Sequence, residues 1–157
     1  MSGRKESRMY STILVPLDGS KRAEAILPHV ETLAKCFNSK LILLNVLQPV
    51  HILYASAPLD LVESTLEADE IHEAEDYLHS LQGRLQEQGI QVDTVVVRET
   101  SPARVIVEVA EREGADLVAM ASHGLSGLAR VFYGSVAAGV LHRIDRPLLI
   151  VRSDGDN

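Results

Sequence analysis

The chain alternates short apolar runs with longer segments in which apolar residues recur every three or four positions. Apolar runs at 12–17 and 40–47 flank a segment, 23–37, in which the apolar residues have helical spacing. The runs have the length of strands, and the spacing between them is that of an amphipathic helix. Strands that alternate with helices usually join as parallel neighbours. The pattern therefore predicts an α/β fold, a doubly wound open parallel sheet with helices on both faces.

The same alternation continues through the rest of the chain and predicts five strands and four helices in all. Pro28 lies inside the first helical pattern and predicts a kink or a helix start near it. The later predicted elements are a loop at 48–60, helices within about 61–88, at 101–114 and at 136–144, and strands at 92–98, 117–121 and 147–151. The strands are continuous apolar runs, as expected for strands buried on both faces.

Composition limits the class of protein. The chain has 157 residues, of which 46% are hydrophobic and 24% charged, as in an ordinary globular domain. We expect one domain over 10–152, with polar tails at 1–9 and 153–157. A net charge of −7 disfavours a general nucleic-acid surface. No apolar run has transmembrane length and no signal-peptide pattern opens the chain, so we expect a cytoplasmic protein without membrane contact.

Metal and disulfide sites have weak support in the sequence. The single cysteine, Cys36, excludes an internal disulfide, and its position in an apolar helical pattern predicts a small buried side chain. His72 and His79 lie near Glu75 and Asp76 on an acidic helix. This group is compatible with a metal site, but a solvated polar helix face is the favoured interpretation.

A glycine-bearing loop after the fourth predicted strand is the main candidate site. The strand leads into Ala121-Ser122-His123-Gly124, and nine residues later Gly134-Ser135 precede a helix. Glycines let the backbone approach an anion, and the free N–H groups at a helix start attract one. The segment therefore predicts a phosphate site. It is not a Walker loop, because no lysine follows Gly134.

A second loop, Asp18-Gly19-Ser20, follows the first strand. If the strand order reverses between strands one and four, the two loops face each other across one crevice, where such sheets bind ligands. The combination predicts a mononucleotide site, in which Asp18 binds ribose hydroxyls or a metal ion. Two local interpretations remain open: Asp18 caps the first helix or closes a turn, and Ser135 caps its own helix.

Three motifs carry a resemblance to a known family. They are ILVPLDGS at 13–20, LLNV at 43–46, and SHGLSGLARVFYGSVA at 122–137 followed by RPLLIV. Over about residues 10–152 the chain resembles the universal stress proteins. Nucleotide-binding members of that family carry G-x2-G-x9-G-S/T, which Gly124, Gly134 and Ser135 match with the nine-residue interval. Ala121 replaces the first glycine, and we favour a strand-like backbone there, which alanine tolerates.

The resemblance implies the strand order 3-2-1-4-5 and a site for ATP or AMP with Mg²⁺. It implies that Asp18 contacts the ribose or the metal, that backbone groups of Val46 read adenine, and that the phosphates are held near the glycine loop. The complete predicted binding set is Pro16, Leu17, Asp18, Val46, Ala121, Gly124, Gly134, Ser135 and Val136. The resemblance also implies a homodimer through the final strand at 148–151. In the function that we favour, ATP occupancy alters a loop or dimer surface that an unidentified protein partner recognises.

Other functions remain open at this point. An ATP-hydrolysing or adenylating enzyme on a related fold is one, although such an enzyme is expected to carry a loop like S-G-G-x-D-S where this chain has only Asp-Gly-Ser. A flavin carrier is another, disfavoured by an aromatic content of 4%. A stress-protein dimer that binds no nucleotide is the third. We expect slow or no turnover, because the phosphate site has no evident general base.

Overall fold

The computed structural model describes residues 9–49, 59–123 and 134–153, and their architecture is the one that the alternation predicts. The elements in chain order are β1 (Thr12–Pro16), a 3₁₀ helix (Ala23–Ile26), α1 (Leu27–Phe37), β2 (Lys40–Leu47), α2 (Leu59–Glu87), β3 (Gln91–Arg98), α3 (Pro102–Arg112), β4 (Leu117–His123), α4 (Ser135–Arg143) and β5 (Leu148–Ser153). The strands form one parallel sheet in the order β3-β2-β1-β4-β5. The predicted fold class and strand order are confirmed.

Helices cover both faces of this sheet. Successive strand residues point to opposite faces, so Ile13 and Leu14 of β1 belong to different core clusters. The Ile13 cluster contains Leu78 of α2 and buried residues of α1. The Leu14 cluster contains Ile106 of α3 and Val140 of α4. Because the central strands are buried on both sides, their sequences are continuously apolar rather than alternating.

Local signals place the ends of α1 where the sequence indicates. Pro28 lies in the first turn of α1, directly after the 3₁₀ helix. Its missing N–H costs nothing there, because the first N–H groups of a helix have no intrahelical partner. The prediction of a helix start near Pro28 is thus confirmed. At the other end, Asn38 has a left-handed φ of 54° and donates its N–H to Ala34.

The strands β4 and β5 extend beyond their predicted ends. The prediction placed the end of the fourth strand at Ala121 and a loop after it, but β4 continues to His123. The reason is tertiary: the last three residues of β4 pair with the last three of β5. Ser153 is consequently part of β5 and not of a polar tail, and its hydroxyl donates a hydrogen bond to the Ser122 carbonyl oxygen over 3.0 Å.

The prediction that Cys36 is buried is wrong, because its side chain is exposed. The buried face of α1 is formed by Leu27, Val30 and Ala34. Cys36 follows Ala34 by two residues, which is about 200° around a helix of 3.6 residues per turn. It therefore points away from the sheet, although its neighbours in sequence are apolar.

Two glycines in helices provide a matched test of packing. A Cβ at Gly139 of α4 would lie 2.7 Å from the Ala103 Cβ of α3, whereas a Cβ at Gly83 of α2 would have no atom within 4 Å. Both alanine substitutions gain the same helix propensity, but only Gly139→Ala overpacks an interface. We expect Gly139→Ala to be less stable than Gly83→Ala by about 1–3 kcal/mol in urea unfolding. Equal stabilities would contradict the close approach of α3 and α4.

Candidate functional site

A cleft of about 380 Å³ opens at the carboxyl edge of the sheet, among the ends of β1, β2 and β4 and the start of α4. Its size is typical of small-molecule sites, which span about 300–1,000 Å³. The residues that pair β1 with β4 are Ile13 with Leu117 and Leu14 with Val118, within the first three residues of β1 and the first two of β4. The strands therefore separate toward their carboxyl ends, where the strand order reverses and such sheets bind ligands.

The structure brings most of the predicted binding set to this cleft. Eight of the nine residues line it: Pro16, Leu17, Asp18, Val46, Ala121, Gly134, Ser135 and Val136. The ninth, Gly124, lies outside the described residues. The two loops that the sequence placed on separate elements thus meet at one site, while the role of each residue toward a ligand stays a prediction.

The loop after β1 is organised by Asp18. Its Oδ1 atom accepts hydrogen bonds from the Ser20 N–H over 2.9 Å and from the Ser20 hydroxyl over 2.6 Å. The same hydroxyl accepts a hydrogen bond from the Ala23 N–H over 3.1 Å at the start of the 3₁₀ helix. Gly19 between them has a φ of +84°, a conformation that favours glycine. Asp18 therefore closes a turn, as the local interpretation predicts, and its exposed carboxylate also borders the cleft.

A partly buried tyrosine of α2, Tyr77, contacts the 3₁₀ helix that follows this loop. The Tyr77 hydroxyl donates a hydrogen bond to Glu24 Oε1 over 3.1 Å. Burial raises the pKa of Tyr77 well above its ordinary value, and the nearby carboxylates of Glu24 and Asp18 raise it further. Of these two carboxylates, that of Asp18 borders the β1 end of the cleft. An anionic phosphate is disfavoured there, whereas a ribose hydroxyl or a cation is favoured.

The opposite end of the cleft is the start of α4. Gly134 is the N-cap residue, with φ −52° and ψ 159°, and no side chain caps this helix. The first hydrogen bond from this turn joins the Ala138 N–H to the Gly134 carbonyl over 2.9 Å. The N–H groups of the preceding helical residues are unpaired within the helix and, with the helix dipole, favour an anion.

Ser135 is the first residue of α4 and is exposed at the cleft. It is not the N-cap, so the interpretation of Ser135 as a helix cap is wrong. The chain reaches the helix one residue earlier, through the extended backbone of Gly134. The hydroxyl of Ser135 is therefore available to a ligand without loss of a capping bond.

The structure shows whether the backbone at Ala121 tolerates alanine in place of the first glycine of the family pattern. It lies within β4 and pairs with Val151, and it is not among the described non-glycine residues with positive φ, which are Tyr10 and Asn38. The backbone at this position is strand-like, as expected. Alanine therefore costs no backbone strain here, and its methyl group forms part of the cleft wall.

Sequence reasoning missed several residues of the cleft. Asn45 of β2 lines it, as do Pro102 and Ile106 of α3 and Met120 of β4. Asn45 had a detectable signal, since it is the one uncharged polar residue in the run KLILLNVL. The α3 residues had none, because only the packing of α3 beside β2 brings its first turn to this edge.

The described part of the chain contains neither a group of side chains that could hold a metal ion nor a helix that could cross a membrane. His72 Nε2 lies 3.5 Å from Asp76 Oδ2, and both side chains are exposed. Within the described residues, no three His, Cys, Asp or Glu side chains converge as a metal-binding group. A cation near Asp18 would accordingly need ligand oxygens in addition to this carboxylate. Across the same ranges, no helix is both long and apolar enough to cross a membrane.

Known proteins match this chain over most of its length. The model of the universal stress protein family matches residues 9–152. Universal stress protein MJ0577 of Methanocaldococcus jannaschii is 31% identical over 93% of this chain and 97% of its own length. The match thus includes the β1 loop, the end of β2 and the start of α4, which together form the cleft.

Solved structures agree with this match. The structure of hypothetical protein MJ0577 has a TM-score of 0.79 and 30% identity, over 94% of this chain and 99% of the other. A universal stress protein in complex with cAMP has a TM-score of 0.64 and 25% identity, over 93% of this chain and 99% of the other. A protein of similar fold and length therefore binds an adenine nucleotide.

Proposed function

Because the chain belongs to the universal stress protein family, we propose that it binds an adenine nucleotide, ATP or AMP, in the cleft between β1, β2, β4 and α4. The observation that carries this proposal is the cleft of about 380 Å³, which combines a helix start suited to phosphate with the ends of three strands. In this function the protein is a cytoplasmic stress-response or signalling module. Nucleotide binding would alter a surface that a protein partner recognises.

The charges of the cleft orient the nucleotide. The phosphates lie at the start of α4, against the N–H groups that follow Gly134 and the hydroxyl of Ser135. The ribose lies beside Asp18, where carboxylate oxygens accept hydrogen bonds from hydroxyl groups. The base then extends toward the end of β2, near Val46. The cAMP complex of a related protein supports the ligand class, because cAMP contains the same base, ribose and phosphate.

Magnesium and slow turnover are parts of the same proposal. Asp18 supplies one carboxylate, and Mg²⁺ commonly completes its shell with water and substrate phosphates. Of the described residues that line the cleft, Asp18 is the ionisable one, and its Oδ1 is already engaged by Ser20. No general base in this set is poised to activate water. We therefore assign binding, with slow or no hydrolysis, as the function.

Isothermal titration with ATP and AMP, with and without Mg²⁺, tests the proposal. We expect saturable heat and a ligand-dependent rise in the melting temperature, because a ligand that binds only the folded state stabilises it. No heat and no thermal shift at millimolar concentrations would refute nucleotide binding. Hydrolysis at several turnovers per second that copurifies with the protein would instead indicate an enzyme.

We also propose a homodimer formed through β5. This strand is at one edge of the sheet. Its residues Leu148 and Ile150 pack toward one core cluster and Leu149 and Val151 toward the other, yet all four remain partly exposed. An apolar edge strand without a central charge or proline invites pairing with another chain. A two-fold axis beside β5 would pair it with its copy.

Light scattering of the unaltered protein tests the dimer. We expect twice the chain mass of 17.1 kDa at micromolar concentration. Ile150→Lys places a charge in the edge and is expected to shift the population toward the monomer, with Arg152→Lys as a control that keeps the charge of an exposed β5 residue. A monomeric mass for the unaltered protein, with and without ATP, would refute the proposal.

A further inference from the structure

Asn45 is an unusual residue for its position. It lies in β2 after four fully or almost fully buried apolar residues, and only 5% of it is exposed. Buried carboxamides in folded proteins are nearly always hydrogen-bonded, because an unpaired one loses its hydration without compensation. Among the described residues, however, the side chain of Asn45 has no hydrogen-bond partner. Neither polar atom of this carboxamide is among the fully buried unpaired atoms of the described residues, so the donor and the acceptor are accessible from the cleft.

The position of Asn45 determines which part of a bound nucleotide its carboxamide can contact. The residue lines the cleft, near the carboxyl end of β2. In the sheet, β1 lies between β2 and β4, so the end of β2 is two strand spacings, about 10 Å, from the end of β4. A nucleotide with phosphates at the start of α4 and ribose beside Asp18 would bring its base to this end.

We infer that the carboxamide of Asn45 recognises the adenine base. Its Oδ1 accepts a hydrogen bond from the exocyclic amine, and its Nδ2 donates one to the adjacent ring nitrogen. Asparagine pairs with adenine in this two-bond manner because the donor and acceptor of the amide match the acceptor and donor of the base. The inference rests on the proposed nucleotide site and adds a base-selecting side chain to it.

Strand geometry separates this role from that of Val46. Side chains alternate along β2, and Asn45 shares its face with Leu41 and Leu43, whereas Val46 lies on the other face with Leu44. The expected contact of Val46 with adenine uses backbone groups, which any residue provides. A contact through Asn45 depends on the side chain and can be removed by substitution.

The test compares ATP with purine riboside 5′-triphosphate, which lacks only the exocyclic amine. The unaltered protein is expected to bind ATP more tightly by roughly fivefold to a hundredfold, the discrimination of one good amide–base pair. In Asn45→Leu, a nearly isosteric change, we expect this ratio to fall at least about fivefold. Asn45→Ala serves as the second variant if leucine disturbs the fold.

Ser39→Ala is the matched control. Ser39 is 3% exposed, and its Oγ has no hydrogen-bond partner, but it precedes β2 at the opposite end from the cleft. We expect Ser39→Ala to keep the ratio of the unaltered protein. For ligand-free Asn45→Leu we expect an unchanged or higher melting temperature, since the substitution makes a 5% exposed residue apolar without removing a side-chain hydrogen bond within the described residues.

The outcomes distinguish the inference from the function on which it rests. If the unaltered protein binds neither triphosphate, both the nucleotide function and the role of Asn45 are refuted. If it binds ATP but the ratio is near one, or if the Asn45 variants keep its ratio, only the role of Asn45 is refuted. A lower melting temperature of the Asn45 variants with an unchanged ratio would assign the residue to the fold alone.

Discussion

Ser135→Ala is expected to weaken ATP binding by about tenfold to a hundredfold, measured by isothermal titration. In the proposed site the Ser135 hydroxyl donates a hydrogen bond to a phosphate oxygen. Hydrogen bonds to charged groups contribute about 1.5–3 kcal/mol, and each 1.4 kcal/mol is about tenfold in affinity. The stability of the ligand-free protein should change by less than about 0.5 kcal/mol, because Gly134 and not Ser135 is the N-cap of α4.

Two further variants control this experiment. Ser135→Thr keeps a hydroxyl and should retain most of the affinity. Ser101→Ala removes a serine from the start of α3, where it is the N-cap but makes no side-chain capping bond. Ser101 is not among the described residues that line the cleft, so this variant should bind ATP normally. Unchanged affinity in Ser135→Ala would refute the phosphate contact of this hydroxyl while leaving the site as a whole open to the other tests.

Leu14→Ala is expected to lower the free energy of unfolding by about 2–5 kcal/mol. Leu14 is fully buried in β1, in the cluster that joins the sheet to α3 and α4. Truncation removes buried methyl groups and leaves a cavity that a close-packed interior fills only partly. Because domains of this size have total stabilities of about 5–15 kcal/mol, the loss is a large fraction.

Chemical denaturation measures this effect, with Leu141→Ala as the control. Leu141 is also a leucine, but 49% of it is exposed on α4, so its truncation should change the stability by less than about 0.5 kcal/mol. If the two variants lost similar stability, the assignment of β1 to the double-sided core would be wrong. The comparison therefore tests the layer arrangement without reference to any ligand.

The fold class was readable from the sequence because burial imposes a local pattern. Strands covered on both faces must be apolar throughout, as in the run that forms β2, and helices on the faces must be amphipathic, as α3 is through Val105, Ile106 and Val109. Pro28 and Gly134 mark helix starts for equally local reasons, since a fixed φ and an extended glycine suit those positions. The resemblance to universal stress proteins supplied the strand order, which periodicity alone does not determine.

Tertiary structure determined the features that local sequence patterns do not specify. The extension of β4 to His123 depends on pairing with β5, and the exposure of Cys36 depends on which stripe of α1 faces the sheet. The cleft exists because β1 and β4 separate where the strand order reverses, which brings Asp18 and Ser135 together across more than a hundred positions of sequence. In the sequence Asn45 is one polar residue in an apolar run, and only the structure shows that it lies in the wall of that cleft. A local sequence pattern reflects the burial and the backbone geometry of each residue. The site, in contrast, is formed by residues that are distant in sequence and come together only when the sheet forms.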